Sequence, residues 1–507
     1  MRRSSILIIS AASCVLFGLA AVRLDQSFFS AEAAQPQAAQ AVTGAASGAA
    51  QLKAVSATMT PALKPADIPQ PTSASGTAVY LAKRGDTIPG VAHQQLHNTA
   101  YLTSSELADA IRATNKNLGS GNFLRAGEQI TIPGVLPTPI VEHTVPISKD
   151  FEVRAIYLTG VMAASDHGIR IIKHWREVGG NAVVFDIKDS DGSVNIPFEH
   201  PLLGAHKVYI HDLPKFVHFL HSENMHAIAR IAMFRDERMV VEHPELAVQS
   251  KKNHAPWREN GKLVWTDSSN HKVQDYDIAL AKFVGQSGAD EIQLDYIRFP
   301  AEGDQKDASF AFQTEHPNWQ RSDVITDFLR RAYAELHPSG VLLSLDVFGV
   351  MAWQRQVDLS HTGQDIVGMA KYCDVISPMI YPSHFFGMDN IEHPGDAPEH
   401  FIGESMERFE LITKGSGVVI RPWLQAFRWR TKTYSPEYIK VQVATAREKG
   451  GIGFLFWNAA NDYSKPYTAM PEMKAADLKA GAKEPKYFRG DELPGVTVRA
   501  ALTPLAN

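Results

Sequence analysis

Carboxylate side chains end several apolar segments of this chain, and two of them are the strongest candidates for chemistry. Asp295 ends the segment EIQLD, and Asp346 lies in the segment LSLDVFG. Two carboxylates that lie close together push their pKa values apart, so one stays protonated near neutral pH while the other is ionised. Cleavage of a glycosidic bond requires such a pair, with one group as the acid and the other as a base or nucleophile.

The neighbours of these two aspartates predict a role for each. Arg298 follows Asp295 closely, so we expect Asp295 to be ionised and to act as a nucleophile or as a base through water. Asp346 lies among apolar residues, so we expect it to be the acid. The structural alternative is a ring of salt bridges that closes a barrel, with Asp295 paired to Arg298. If the pair is catalytic, a carboxyl separation of about 5 Å predicts retention and roughly 6.5–9.5 Å predicts inversion.

Segments with strand character alternate with helical segments over residues 150–465 and would position these side chains. The strands are predicted at 155–160, 182–188, 227–234, 291–298, 342–348, 375–381, 420–427 and 453–458. The helices are predicted at 168–178, 213–223, 274–286, 323–336, 362–370, 403–411 and 436–448. This alternation predicts an α/β fold, a (β/α)8 TIM barrel, with a doubly wound open sheet as the alternative. Catalytic groups of such a barrel lie at the C-terminal ends of its strands.

Side chains of one parity along these strands point into a barrel, and here they combine carboxylates, amides, cations and aromatic rings. This mixture suits a sugar, because polar groups bond its hydroxyls while aromatic rings cover its apolar faces. The substrate-binding candidates are Asp186, Lys188, Arg230, Arg298, Tyr381, Gln425, Trp457 and Asn458. Tyr381 and Trp457 would hold the sugar ring. Asp186 and Asp189 are reserve carboxylates, and Lys188 between them favours a paired, ionised role in binding.

Six segments of the barrel resemble a known family. In chain order they read VVFDIKD, ARIAMFRD, IQLDYIRFP, LSLDVFG, ISPMIYPSH and GFLFWNA. Together they resemble the glycoside-hydrolase-like domain called GHL13, a former domain of unknown function, over residues 152–465. The resemblance implies a hydrolase of O-glycosyl bonds, although a fold alone does not determine a function.

Composition and motifs argue against other classes of function. The sequence contains no G-x-S-x-G nucleophile elbow, no Gly-rich phosphate loop and no H-E-x-x-H metal motif. We therefore expect neither a cofactor nor a metal. The two cysteines, Cys14 and Cys373, cannot build a disulfide framework. A net charge of -5 over 507 residues implies no basic surface for nucleic acid.

The N-terminal region is typical of an exported protein. Arg2 and Arg3 precede an apolar segment at 6–22. Residues 1–30 are therefore either a signal peptide, cleaved near the small-residue pattern at 31–33, or a membrane anchor. We expect the protein in the periplasm or cell envelope, anchored to the inner membrane if residues 1–30 are retained. Residues 31–76 are rich in Ala, Gln and Pro and are predicted to be a disordered linker.

Residues 77–134 predict a small β-α-α-β module. Its features are a GDT turn at 85–87, a second helix at 104–114 with Ser104 as its N-cap, and the closing segment LRAGEQITIP. The module resembles a LysM domain, which implies binding of N-acetylglucosamine-containing chains such as peptidoglycan. It departs from that family at Pro89-Gly90 and in the longer connection at 97–103. Residues 466–507 are predicted to be a tail.

The main functional hypothesis is a hydrolase of a cell-envelope polysaccharide, either peptidoglycan or another amino-sugar polymer. The alternative is a non-catalytic glycan-binding or wall-organising protein whose barrel keeps a groove. A metal-dependent deacetylase is disfavoured, because the sequence lacks the expected pattern of His and Asp ligands.

Overall fold

The computed structural model describes residues 76–479, which form two compact units at 76–137 and 138–479. The predicted signal peptide or anchor, the linker and the end of the predicted tail lie outside the described residues. Within residues 76–479, no helix is long and apolar enough to cross a membrane.

The small unit has the β-α-α-β order predicted from its sequence. Its elements are β1 (Thr77–Leu81), α1 (Ile88–Gln95), α2 (Ser104–Thr114) and β2 (Gln129–Pro133). The two strands are antiparallel, with Tyr80 opposite Ile130. Apolar side chains of both helices and of β2, including Val91, Leu107 and Ile130, form its buried core.

Hydrogen bonds of side chains to the backbone define the ends of the elements in this unit. The N-cap of α2 is Thr103 rather than Ser104, because Thr103 and Glu106 form a reciprocal capping box. Asn115, just after α2, exchanges hydrogen bonds of 2.8 and 2.9 Å with the backbone of Thr131 in β2. Pro89 is accommodated in the first turn of α1, where its missing N–H has no helical partner to lose.

The large unit is a closed barrel of eight parallel strands, as the sequence predicts. The strands are β3 (Val153–Leu158), β4 (Ala182–Lys188), β5 (His226–Ala232), β6 (Glu291–Asp295), β7 (Leu342–Phe348), β8 (Val375–Ile380), β9 (Trp423–Gln425) and β10 (Gly453–Trp457). Each strand pairs with the next, and β10 pairs with β3 to close the barrel. All residues of β3, β4, β5 and β6 are buried, as expected for strands covered by helices.

One main helix follows each strand. These helices are α3 (Asp166–Glu177), α4 (Leu213–Ser222), α5 (His271–Gln286), α6 (Arg321–Leu336), α7 (Ile366–Met369), α8 (Pro398–Thr413), α9 (Pro436–Glu448) and α10 (Ser464–Lys479). The eighth helix, α10, extends past the predicted domain boundary at 465 into the predicted tail. The predicted helix at 362–370 is divided, because Gly363 takes a φ of +73° and ends a preceding helix, Gln356–Thr362.

Two strands are shorter than their apolar patterns predict. Strand β6 stops at Asp295, because Tyr296 takes a left-handed φ of +52° that redirects the chain. Strand β9 is separated from the short pairing Val419–Ile420 by Arg421 and Pro422. Pro422 has no N–H to donate to a neighbouring strand, so the ladder is interrupted there.

A network of acids, imidazoles and one arginine, here called the base cluster, connects the N-terminal ends of the strands. Glu142, before β3, contacts His218 and His221 of α4 at 2.7 and 3.3 Å. His221 contacts Asp290 at 2.9 Å, just before β6. The remaining members lie inside the barrel, where Glu291 contacts both His226 and Arg421. The cluster thus attaches the segment before β3 to the base of the barrel.

Candidate active site

Arg230 of β5 is the centre of the candidate active site. One terminal nitrogen lies 2.5 Å from Oδ1 of Asp186, and the other lies 2.6 Å from Oδ2 of Asp295. Its Nε donates to the same oxygen of Asp295 at 3.1 Å and lies 4.0 Å from Oδ2 of Asp346. One buried guanidinium therefore gathers three of the carboxylates that the sequence predicts for the site.

Strand order explains why these four residues meet. Strands β4, β5, β6 and β7 are consecutive neighbours in the barrel, and Asp186 is directly opposite Arg230 in the register. Asp295 is opposite Ala232, one inward position nearer to the C-terminal end. Catalytic groups of (β/α)8 barrels lie at this end, so the cluster is where the fold predicts a site.

Burial favours the protonated form of two of the carboxylates, Asp186 and Asp346. Burial raises the pKa of Asp186 to about 7, although Arg230 and a hydrogen bond from Tyr157 act in the opposite direction. Burial and the charge of Asp295 raise the pKa of Asp346 well above its ordinary value, while Arg230 and Trp423 oppose the shift. The side chain of Asp295 is 10% exposed and that of Asp346 is 1% exposed. Asp295 is therefore the better-solvated carboxylate of the two, and it accepts two hydrogen bonds from Arg230.

Three aromatic rings enclose the cluster. Trp457 stacks on Tyr157 at 4.0 Å between ring centroids, and Trp423 meets both rings edge-on. The guanidinium carbon of Arg230 lies 5.2 Å from the centroid of Trp457, close enough for a cation–π interaction. Trp423 also donates a hydrogen bond to Asp346. Trp457, predicted as a sugar platform, thus lies beside the carboxylates with one face covered by Tyr157.

Tyr381, the other predicted platform, directly follows β8. Its ring contacts His384 and Phe427 at centroid distances of 5.3 and 5.6 Å. His384 in turn contacts Trp429 at 4.9 Å. These rings form an aromatic wall along the loops that follow β8 and β9.

Arg298 lies among rings rather than in the centre of the carboxylate cluster. Its guanidinium carbon is 4.5 Å from the centroid of Phe348 and 4.7 Å from that of Trp265. The sequence predicts Arg298 as the cation that keeps Asp295 ionised, whereas two N–H donors to Asp295 come from Arg230. The neighbouring strand β5 thus supplies a cation that contacts Asp295 directly.

Lys188 does not join the inward-facing groups. The register between β4 and β5 shifts between Asp186 and Lys188, so the period-two prediction fails at this position. Lys188 is fully buried and lies 2.8 Å from Asp236 and 3.0 Å from Asp277 of α5. The predicted contact with substrate is replaced by an ion-pair network between the barrel and a helix.

Gln425 and Asn458 use their amides to hold loops. Gln425 accepts a hydrogen bond from the backbone of Ser383 and donates to the carbonyls of Phe427 and Trp429. Asn458 donates to the carbonyls of Ala426 and Asp462. Both residues therefore shape the site, where the sequence predicts direct contact with a sugar.

Four residues of the site are not indicated by the sequence alone, namely Tyr157, Trp423, His384 and Trp429. Inward parity could have found Trp423, which lies two residues before Gln425 on the same strand. Tyr157 lies in a buried, mostly apolar strand, so the sequence does not distinguish it from a residue of the core. Among residues 76–479, no group of three or more His, Cys, Asp or Glu residues could hold a metal ion. The arrangement offers paired carboxylates for proton transfer and aromatic surfaces for a sugar.

Comparisons with known proteins match the barrel at the level of a family. A family model described as "Putative glycosyl hydrolase domain" matches residues 155–463, which is nearly the whole barrel. Among curated proteins, no sequence matches the chain.

Two of the similar solved structures differ in their sequence identity to this chain and in the share of it that they cover. A hypothetical protein from Ruminiclostridium thermocellum is 36% identical, over 38% of this chain and 97% of its own, with a TM-score of 0.34. The PgaB (BpsB) glycoside hydrolase domain from Bordetella bronchiseptica is 13% identical, over 63% of this chain and 98% of its own, with a TM-score of 0.46.

Proposed function

The chain belongs to this family of glycosyl hydrolase domains, and on that premise we propose that its barrel hydrolyses a glycosidic bond of a cell-envelope polysaccharide. The observation that carries the proposal is the pairing of Asp295 and Asp346 around Arg230. The two carboxylates differ in environment as an acid and a base must differ.

Asp346 would be the acid, because burial and the nearby charge of Asp295 raise its pKa. In this role it donates its proton to the glycosidic oxygen as the bond to the anomeric carbon breaks. Asp295, held by Arg230, would attack the anomeric carbon or remove a proton from the attacking water. Trp457, against the guanidinium of Arg230, and Tyr381, at the end of β8, would support the sugar ring.

The small unit and the N-terminal segment support an amino-sugar polymer of the cell envelope as the substrate. We propose that residues 77–134, with their LysM-like order of elements, hold the protein on peptidoglycan or a related chain. The exported character of residues 1–30 would bring the barrel to the same compartment, with or without an anchor in the inner membrane.

A second candidate is a glycan-binding protein without turnover. The observation that favours it is the burial of the cluster, since Asp346 is 1% exposed and Asp186 is fully buried. In this case the four charged residues would stabilise the barrel, while the aromatic wall would bind the glycan.

One experiment separates the two candidates. The full chain and its Asp295→Asn variant are incubated with peptidoglycan and with chitin-type amino-sugar polymers, and mass spectrometry detects new reducing ends. The hydrolase predicts products with the parent chain and none with the variant. Binding of polymer by both proteins with no products from either would support the non-catalytic candidate and refute the hydrolase.

A further inference from the structure

Arg430 is an exposed cation beside the aromatic wall, on the loop between β9 and α9. Its guanidinium carbon lies 4.1 Å from the ring centroid of Phe386 and 4.5 Å from that of Trp429. Within residues 76–479, no carboxylate forms an ion pair with this guanidinium. A guanidinium has five N–H donors, so this one can serve a ligand.

The backbone at Arg430 is held in an unfavourable conformation. Its φ of +45° lies in the left-handed region, which costs an L-residue of order 1 kcal/mol or more. Gly395, on the loop after β8, makes room for it, because any side chain there would overlap the carbonyl oxygen of Arg430. Strain of this kind persists only where the surroundings impose it, and it is concentrated at functional sites.

Hydrogen bonds fix this loop from two sides. From the barrel, Gln425 donates to the carbonyl of Trp429, the residue before Arg430. From the loop after β8, Asp396 accepts hydrogen bonds from the hydroxyl of Thr431 at 2.8 Å and from the N–H of Lys432 at 2.7 Å. The guanidinium is therefore presented by a braced loop, with less conformational entropy to lose on binding than an ordinary surface arginine.

The position of Arg430 is continuous with the candidate active site. Trp429 contacts His384, and His384 contacts Tyr381 at the end of β8, next to the strand that carries Asp346. Burial, with a contribution from the charge of Arg430, lowers the pKa of His384 to about 3, so this imidazole is neutral. These aromatic contacts connect Arg430 to Tyr381 at the end of β8.

We propose that Arg430, packed against the perpendicular rings of Phe386 and Trp429, is a subsite for a carboxylate carried by the glycan, and that the barrel prefers an acidic polysaccharide. This inference rests on the proposed function and specifies its substrate class. A planar guanidinium binds a carboxylate through two parallel hydrogen bonds, which gives both affinity and orientation. The carboxylate could belong to the lactyl ether of a muramic acid or to a uronic acid.

Binding of three tetrasaccharides by the full chain tests the inference, with Asp295→Asn used to prevent turnover. The probes are a neutral N-acetylglucosamine tetramer, a tetramer alternating N-acetylglucosamine with N-acetylmuramic acid, and a galacturonic acid tetramer. Calorimetry should show one of the acidic probes binding about tenfold more tightly than the neutral one. The preferred acidic probe identifies the source of the carboxylate.

Arg430→Gln should remove this preference, whereas Arg428→Gln should keep it. Arg428 is also exposed and lies two residues away, so it controls for general loss of positive charge. Equal affinity for neutral and acidic probes, a preference that survives Arg430→Gln, or binding of none of the probes would overturn the subsite. Tight binding of an acidic probe that the parent chain never cleaves would refute the hydrolase and leave the subsite standing.

Discussion

The indole nitrogen of Trp423 donates a hydrogen bond of 2.6 Å to Oδ1 of Asp346. The bond lowers the pKa of Asp346, against the larger effects of burial and the charge of Asp295, which raise it. A hydrogen bond to the charged form of a carboxyl favours ionisation. Trp423 therefore exerts a secondary control on the pH at which the proposed acid loses its proton.

Trp423→Phe tests this control. The variant keeps a ring in place but removes the N–H donor, so the pKa of Asp346 should rise. An enzyme whose acid must be protonated is active below the pKa of that acid, so the alkaline limb of kcat/KM should move to higher pH. The pH profile is measured for the parent, for Trp423→Phe and for Trp457→Phe as a matched control. A limb that moves equally in both variants, or to lower pH, would contradict the assigned role.

Substitution of the carboxylate pair should separate catalysis from stability. Asp295→Asn and Asp346→Asn should each lower turnover by about 100-fold or more, because each removes a proton-transfer or nucleophilic group. Asp346→Asn should leave the melting temperature nearly unchanged, because an amide resembles the protonated acid that burial favours there. Asp389→Asn is the control, since Asp389 forms only a half-exposed ion pair with His400. Near-parental activity in either variant would remove that residue from the pair.

The elements that the sequence predicts correctly are those with a regular pattern of apolar and polar side chains. The bounds of β7 and α9 agree with the sequence to the residue, since each has a clear periodicity and a defined start. Parity then places Asp295 and Asp346 in one cluster, and the order of strands makes them neighbours. For these elements, side-chain pattern and backbone geometry point to the same answer.

The features that the sequence does not show have local backbone causes or depend on contacts distant in sequence. The register shift after Asp186 sends Lys188 toward α5, and no pattern in the sequence marks such a shift. Arg230, which contacts Asp295, is 65 positions away along the chain, so the local sequence does not show this contact. Gln425 and Asn458 have the chemistry of sugar ligands, but the loops that they hold are visible only in three dimensions.

Arg230→Lys should disrupt both the fold and the chemistry of the cluster. An ammonium is a point charge and cannot bridge Asp186 and Asp295 as the planar guanidinium does. Leaving a buried charge without its partner costs about 3–5 kcal/mol, so the melting temperature of the barrel should fall and turnover should be lost. Arg447→Lys is the control, because its ion pair with Glu152 is partly exposed and should contribute little. A parental melting temperature in Arg230→Lys would show that the cluster is not the electrostatic centre described above.

The small unit should bind cell-wall polymer on its own. A fragment of residues 76–137 contains its own core and should co-sediment with purified peptidoglycan, weakly, because a single small unit buries little area on binding. Phe123 is 82% exposed in the connection between α2 and β2, so Phe123→Ala should leave folding intact. If that ring contacts the glycan, the variant should sediment less. A fragment that stays in solution under conditions where an established wall-binding domain sediments would remove the proposed attachment.

The base cluster should make the barrel sensitive to acid. Burial alone would raise the pKa of Glu142, but hydrogen bonds from His218 and His221 lower it to about 2, below the ordinary 4.5. A carboxyl whose pKa is lowered on folding stabilises the protein above its unfolded pKa and loses that effect as the pH falls through the folded value. Glu142→Gln should therefore lower the denaturant midpoint of the barrel at pH 7, and this difference from the parent should shrink between pH 4.5 and 2.

Glu152→Gln, which breaks a more exposed ion pair, should change the midpoint little at any pH. A Glu142→Gln deficit that stays constant down to pH 2 would show that packing, rather than ionisation, attaches this segment to the barrel.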